Sequence, residues 1–185
     1  MESKTKLGRN GANGVAKALT AGTIGGLVGA WVMSEFQSVW SNVSEKLQQP
    51  RGNQGRGSNQ DSGNEDQDPA TIKAARRISE DVFHHKLDES EGKPAGQAVH
   101  YAMGAVSGAI YGVMSEIAPP VALGAGVPFG AAVWLIADDV AVPALGLSKW
   151  PTEYPLSTNA YALTSHVVYG LTTDLVRRFV RRALR

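Results

Sequence analysis

The sequence predicts an all-α fold, an integral membrane bundle of four transmembrane helices with one amphipathic helix at the membrane surface. The 185-residue chain contains four stretches of 17, 22, 21 and 20 residues without Asp, Glu, Lys or Arg, each closed by an acid. An α-helix needs about 20 apolar residues to cross a bilayer. Glycines recur at four-residue spacing within two of these stretches, and such small residues let helices approach closely in lipid. Basic residues flank the first and the last stretch.

The overall composition limits the chemistry that the chain can perform. Because there is no cysteine, disulfides, thiolate metal sites and a cysteine nucleophile are excluded. The net charge of +1 gives no electrostatic basis for binding nucleic acid, so we expect no nucleic-acid partner. The mean hydropathy of -0.16 is typical of soluble proteins, but a polar insertion between residues 44 and 94 lowers this average.

Residues 1–43 are predicted to form an N-terminal tail and the first transmembrane helix. Basic residues followed by an apolar run are also typical of a cleaved signal peptide. The run continues to Trp40, which is longer than a signal-peptide core, and three more apolar stretches follow. A retained span is therefore favoured. Gly22 and Gly26 predict a face of this helix that packs on another span.

Residues 44–68 are rich in Gly, Gln, Asn, Ser and Asp, which predicts a disordered polar linker. Residues 69–95 are expected to form an amphipathic helix and a loop. Asp68 is the expected N-cap with Pro69 in the first turn, and apolar residues then recur at helical spacing to about Leu87. Basic residues beside this stripe favour a position at the membrane surface or against the bundle.

Residues 96–185 are predicted to hold transmembrane helices two to four and a basic C-terminus. The second span covers about 96–117, and the third, about 121–142, contains Pro128, which should kink it. The fourth span, about 157–180, runs into five arginines. The glycines at which we expect close helix packing are Gly22, Gly26, Gly104, Gly108 and Gly112.

The orientation follows from the basic residues. If both termini lie on one side, nine lysines and arginines fall on each side of the membrane. The arginine cluster directly adjoins the fourth span, so we favour both termini in the cytoplasm.

Acidic residues inside the apolar runs mark the best candidate for a site. We expect Glu116 and Asp174 at the membrane boundary, with Asp174 paired to Arg177 or Arg178 one turn later. Other polar groups lie in one half of the membrane, with Tyr101 and His100 shallower than the rest, and form a predicted cluster: Glu35, Tyr101, Asp138, Asp139 and His166. This cluster fits either a polar network that fixes helix packing or a site for a proton or a cation.

The sequence carries no recognisable catalytic, metal or cofactor motif. His84 and His85 are adjacent and point in different directions on a helix. The glycines follow no strand and precede no Gly-Lys-Ser/Thr motif. We therefore expect no catalytic residue, no metal, no cofactor and no enzymatic activity.

Two short segments carry a family resemblance. One begins at His100 and reads His-Tyr-Ala-Met-Gly-Ala-Val-Ser-Gly-Ala-Ile-Tyr-Gly-Val-Met-Ser-Glu-Ile-Ala-Pro, and the other reads His-Val-Val-Tyr-Gly from His166. Both resemble the YagU-like family of uncharacterised bacterial inner-membrane proteins. The resemblance implies a small multi-pass protein of the bacterial inner membrane, and it supplies no reaction and no catalytic residue.

Two functional hypotheses follow from these patterns. In the first, a non-enzymatic membrane protein responds to pH or passes a cation through its buried carboxylates and His166. In the second, a structural or adaptor subunit docks a partner through its glycine-rich helix faces. Both hypotheses expect the lipid bilayer as a partner, and both allow a homo-oligomer or a partner membrane protein.

Overall fold

The computed structural model describes residues 2–48 and 68–184, with side chains from residue 13 to 44 and from residue 68 onward. Its helices are α1 (Glu2–Gln48), α2 (Ala70–Phe83), α3 (Glu89–Ile117), α4 (Val127–Ala144) and α5 (Leu156–Ala183). No strand occurs within these described ranges, so the predicted all-α fold is confirmed. Most of the predicted linker, residues 49–67, lies outside the described residues, and its first part, residues 44–48, belongs to α1 instead.

The long helix α1 is the centre of the bundle, because α3 and α5 both pack along it. Gly22 lies against Gly108 and Gly26 against Gly104, so α1 and α3 are antiparallel. α5 runs antiparallel to α1 and to α4. The short helix α2 packs on the first half of α3. The N-terminal end of α1 and the C-terminal end of α5 therefore lie at the same end of the bundle.

Small residues fill the helix contacts, and large apolar residues cover the outside. Ala18, Ala21 and Ala30 are buried, whereas Trp31 is 54% exposed. Soluble proteins usually bury their large aliphatic side chains instead. Further exposed apolar residues on α1, α3, α4 and α5 are Leu19, Leu27, Val106, Ile110, Leu135, Ile136, Leu175 and Phe179. The exterior of the bundle is thus apolar on four helices.

Two helices are long and apolar enough to cross a membrane, by length and composition: residues Asn13–Ser44 of α1 and the whole of α4, Val127–Ala144. α3 and α5 are 29 and 28 residues long, which is also sufficient. They are less apolar than α1 and α4, because Gly, Ser, Thr, His and Tyr occupy many of their positions. Two of the four predicted spans therefore have the length and composition of a membrane span.

The start of α3 differs from the prediction. The helix begins at Glu89 rather than residue 96, so the proposed boundary between residues 95 and 96 falls inside it. Asp88 is the reason, because its carboxylate accepts from Glu91 N–H at 2.9 Å while the Glu91 carboxylate accepts from Asp88 N–H at 3.1 Å. Hydrogen bonds from the Ser90 hydroxyl and from Glu91 N–H lower the pKa of Asp88.

The ends of α2 also differ from the prediction. Pro69, not Asp68, occupies the N-cap position, and Asp68 instead accepts a hydrogen bond from Arg76 Nε at 3.2 Å. The helix ends at Phe83, four residues before the expected end, because His84 adopts a left-handed conformation with φ of 52°. Such a residue terminates a helix by turning the chain out of its axis.

α4 begins later than the predicted third span, and Pro128 does not kink it. Pro128 lies in the first turn, where its missing N–H leaves no helical hydrogen bond unmade. The preceding turn uses Gly124 and Gly126 at φ of 76° and 85°, which glycine adopts without strain. The distortion of α4 lies further on, where residues Trp134–Ala141 form a π-helix.

Candidate functional site

A cavity of about 670 Å³ lies between α3 and the α4–α5 pair. α1 contributes part of its wall, and α2 and the loop after α4 lie over it. Its lining is mostly apolar, with a small number of polar groups, and its volume is in the range of binding sites for small molecules. Its titratable groups are Asp138 and Asp139 of α4, His100 of α3, Lys149 and Tyr154 of the loop after α4, and His166 and Tyr169 of α5.

The π-helical segment places both acids of α4 at this cavity. A π-helix pairs each residue with the one five positions away, so a turn holds more residues than an α-helical turn. Neighbouring side chains are therefore separated by a smaller angle around the axis. Asp138 and Asp139 can both line the cavity for this reason. Short π-helical segments often occur at functional sites.

The hydrogen bonding of His166 determines which ring nitrogen carries its proton. His166 Nδ1 lies 2.9 Å from the Ala162 carbonyl oxygen one turn earlier on α5. A carbonyl oxygen only accepts, so Nδ1 is the protonated nitrogen. In the neutral ring, Nε2 is then an acceptor with a free lone pair. The backbone of α5 thus fixes the tautomer of this buried imidazole.

His166 Nε2 faces a second acceptor, because Asp138 Oδ2 lies 3.6 Å from it. An ionised carboxylate and an imidazole lone pair repel each other. A proton on either atom, or a cation between them, would convert this repulsion into attraction. His166 is buried while the Asp138 side chain is 43% exposed, so one partner is held by the helix bundle and the other faces the cavity.

Three aromatic rings lie in contact beyond the cavity, toward the N-terminal end of α1. Tyr169 forms part of the lining, and its hydroxyl donates to the Gly104 carbonyl oxygen at 2.8 Å. Phe129 lies 5.7 Å from the Tyr169 ring and stacks on Tyr111 at 4.2 Å between centroids. Because Tyr111 belongs to α3 and Phe129 to α4, the rings join the two helices that the cavity separates.

The structure brings together only part of the predicted cluster. Asp138, Asp139 and His166 meet at the cavity. Glu35 is exposed and does not line it, so its predicted place in the cluster is wrong. Tyr101 also lies outside the lining and packs edge-on against His100 at 5.8 Å. Glu35 and Tyr101 therefore lie outside the cavity that the other three residues line.

The sequence prediction missed Tyr169 and Ser107. The Tyr169 hydroxyl lies 2.9 Å from Ser107 Oγ, which links α5 to α3 across the bundle. One signal could have identified Tyr169, because it lies three residues after His166 and therefore shares a helical face with it. Ser107 carried no such signal, because its importance comes from a residue 62 positions away.

A second polar cluster surrounds Asp174, whose side chain is buried within the bundle. Its predicted position at the membrane boundary stays a prediction. Asp174 Oδ1 accepts from the Tyr111 hydroxyl at 3.0 Å and from Arg177 at 2.8 Å, and Oδ2 pairs with Arg178 at 2.7 Å. The predicted pairing with Arg177 or Arg178 is confirmed, and the structure shows an ion pair with each of them. Arg177 also lies over the Tyr111 ring, 5.3 Å from its centroid. Glu116 pairs with Arg181 near the surface, at 2.6 Å.

The described side chains contain no group of three or more His, Asp or Glu residues that could hold a metal ion. Asp138 and His166 alone offer fewer ligands than a structural metal site requires. The predicted absence of a metal and a cofactor stays a prediction.

Comparison with known families gives one match. A family model described as a protein of unknown function (DUF1440) matches residues 65–175, which is more than half of the chain. The chain belongs to this DUF1440 family. The matched region covers α2, α3, α4 and most of α5, so it includes Asp138, Asp139 and His166. No curated protein and no solved structure matches the chain.

DUF1440 membership agrees with the resemblance to an uncharacterised family seen in the sequence. The YagU-like name stays a prediction. α1 lies outside the matched region, although it supplies the glycines that pack on α3.

Proposed function

We propose that this DUF1440 protein is a non-enzymatic, multi-pass protein of the bacterial inner membrane that takes up a proton or a small cation at Asp138 and His166. The observation that supports this most is the approach of two acceptors, Asp138 Oδ2 and His166 Nε2, to 3.6 Å. Their repulsion is relieved by a bound positive charge. Histidine is also the side chain whose usual titration range includes physiological pH.

The distribution of apolar residues supports the membrane setting. Large aliphatic side chains outside and small residues inside are what helices need in lipid, where close backbone contact replaces the hydrophobic driving force. α1 and α4 have the length and composition of spans, α5 packs against both of them, and α3 packs along α1. We include α3 and α5 as the other two spans on this basis.

The charge distribution supports an orientation with both termini in the cytoplasm. The N-terminal end of α1 and the C-terminal arginines of α5 lie at one end of the bundle. Basic residues next to spans usually remain on the cytoplasmic side. In this orientation the cavity lies nearer the outer face of the membrane.

The adaptor hypothesis loses the surface on which it depended. The five predicted packing glycines are buried between α1 and α3 of the same chain, so they offer no face to a partner. A second copy of the chain, or another membrane protein on the outer apolar faces, stays a prediction.

Proton uptake can be tested with Trp134, which lines the cavity beside Asp138. We would replace Trp31, Trp40 and Trp150 with Phe, and follow the Trp134 emission against pH in the full-length protein. The emission should shift as the pH is lowered, because uptake of a proton changes the charge beside the indole. Asp138→Asn and His166→Ala should abolish the shift.

Glu35→Gln is the matched control, because it removes an exposed acid that does not line the cavity. Its Trp134 emission should change with pH as it does in the parent protein, which carries Phe at the other three tryptophan positions. Vesicles containing the wild-type protein should also show ion- or pH-dependent flux that falls at least tenfold in Asp138→Asn. The proposal would be contradicted if the parent protein showed no change of emission with pH and no flux. It would also be contradicted if Asp138→Asn and His166→Ala behaved like the parent.

A further inference from the structure

A second pocket lies at the opposite end of the bundle from the cavity, where α5 ends. Its volume is about 390 Å³. The turn after α3 supplies one wall through Pro119, Ala122 and Leu123, and Glu116 lies at its edge. The other wall consists of four arginines of α5: Arg177, Arg178, Arg181 and Arg182. We call these arginines and the turn together the arginine pocket.

Positive charge exceeds negative charge in the arginine pocket. Four guanidinium groups face two carboxylates, Asp174 and Glu116, which leaves a net charge of +2. Three of the arginines are paired with these acids. Among the residues that the structure describes, Arg182 has neither an ion pair nor a side-chain hydrogen bond. One full positive charge is therefore available to a ligand.

The paired arginines are held in place without using all of their donors. Arg178 pairs with Asp174 and also donates to the Ala122 carbonyl oxygen at 2.9 Å, which fixes its position beside the turn. A guanidinium group has five N–H donors, and two acceptors leave several unused. Arg177 Nε is buried and has no hydrogen-bond partner within the described part of the chain. The pocket therefore combines fixed geometry with spare donors.

Exposed apolar side chains surround this charged pocket. Ile117 is 70% exposed and Leu123 69%, and on α5 the exposed fractions of Leu175 and Phe179 are 71% and 74%. A free anion would gain nothing from such surroundings. A phospholipid would place its phosphate among the guanidinium groups and its acyl chains against the apolar residues. Arginine is well suited to phosphate because its planar N–H donors match the oxygens.

We propose that the arginine pocket binds the phosphate headgroup of an anionic phospholipid. The chemistry that it recognises is a phosphate oxyanion, and the exposed apolar rim favours a lipid over a soluble phosphate as its source. This inference rests on the membrane association in the proposed function, but it does not involve the Asp138–His166 site. The basic end of α5 would then bind a ligand, in addition to favouring the orientation of the protein in the membrane.

The test uses the full-length protein in a neutral detergent, with lipid retention measured by native mass spectrometry. Wild-type protein should retain phosphatidylglycerol in preference to phosphatidylcholine. Arg182→Gln should weaken retention about fivefold, which is the effect of one basic residue near an anionic lipid surface. Retention should also fall as salt is raised.

Lys93→Gln is the matched control, because it removes one exposed positive charge near the start of α3, at the other end of the bundle. It should retain lipid like wild type. Equal retention of the two lipids, or equal losses in both variants, would overturn the inference. Displacement of phosphatidylglycerol by millimolar inorganic phosphate would show that the pocket recognises soluble phosphate rather than a lipid, and would overturn the proposed lipid ligand. Asp138→Asn should leave lipid retention unchanged, so this inference and the cavity proposal fail separately.

Discussion

Asp174→Ala should lower the free energy of unfolding by about 3–5 kcal/mol, which is typical for removing one partner of a buried ion pair. The side chains of Asp174 and Arg177 are 2% and 9% exposed, so the guanidinium would remain buried without its counter-charge. The Tyr111 hydroxyl would lose its acceptor as well. Unfolding of the purified protein in mixed detergent micelles would measure this loss.

Glu116→Ala provides a matched control at the same end of the bundle. Glu116 also pairs with an arginine, but its side chain is 34% exposed and that of Arg181 is 22% exposed. Partly exposed pairs contribute about 0.2–1 kcal/mol, so this variant should be close to wild type. The double variant Asp174→Ala, Arg177→Ala should recover part of the loss, because it removes the unpaired charge. Similar stability in the two single variants would contradict the buried ion pair between Asp174 and Arg177.

Gly108→Ala should destabilise the protein by about 1–3 kcal/mol or more, because an added methyl group has no room there. A Cβ atom on residue 108 would lie 2.5 Å from the Gly22 carbonyl oxygen and 2.6 Å from Gly26 Cα. Both atoms belong to the backbone of α1, so the two helices would have to separate. The same unfolding measurement in detergent would detect this change.

Gly14→Ala is the corresponding control on α1, because no atom lies within 4 Å of the position that its Cβ would take. Alanine favours a helix over glycine by about 1 kcal/mol, so this variant should be slightly more stable than wild type. Replacing glycine with alanine should therefore lower the free energy of unfolding at residue 108 and raise it at residue 14. A stabilising Gly108→Ala would contradict the close approach of α1 and α3.

The glycine contacts could be predicted from the sequence, whereas their partners could not. Four-residue spacing places glycines on one face of a helix, and this local pattern identified residues 22, 26, 104, 108 and 112. Which helix meets that face depends on the whole bundle. The structure pairs α1 with α3, so faces that were also considered for docking a partner are used within the chain.

The polar site was harder to predict, because depth along a helix does not give direction around it. Glu35 lies at a suitable depth, yet it is exposed while Met33, two residues earlier, is 5% exposed. The approach of Asp138 and Asp139 to the cavity depends on the π-helical segment, and no residue pattern in the sequence indicates that segment. The burial of Asp174 could not be predicted from local sequence, because it depends on Tyr111, 63 residues away.

The stacked rings of Tyr111 and Phe129 make the two ends of the cavity unequal. In the orientation proposed above, the rings lie on the cytoplasmic side of Asp138 and His166, and α2 and the loop after α4 lie on the opposite side. The pair would then exchange protons with the periplasm and be insulated from the cytoplasm. In the proposed function, passage of a proton or cation across the membrane would require these rings to separate.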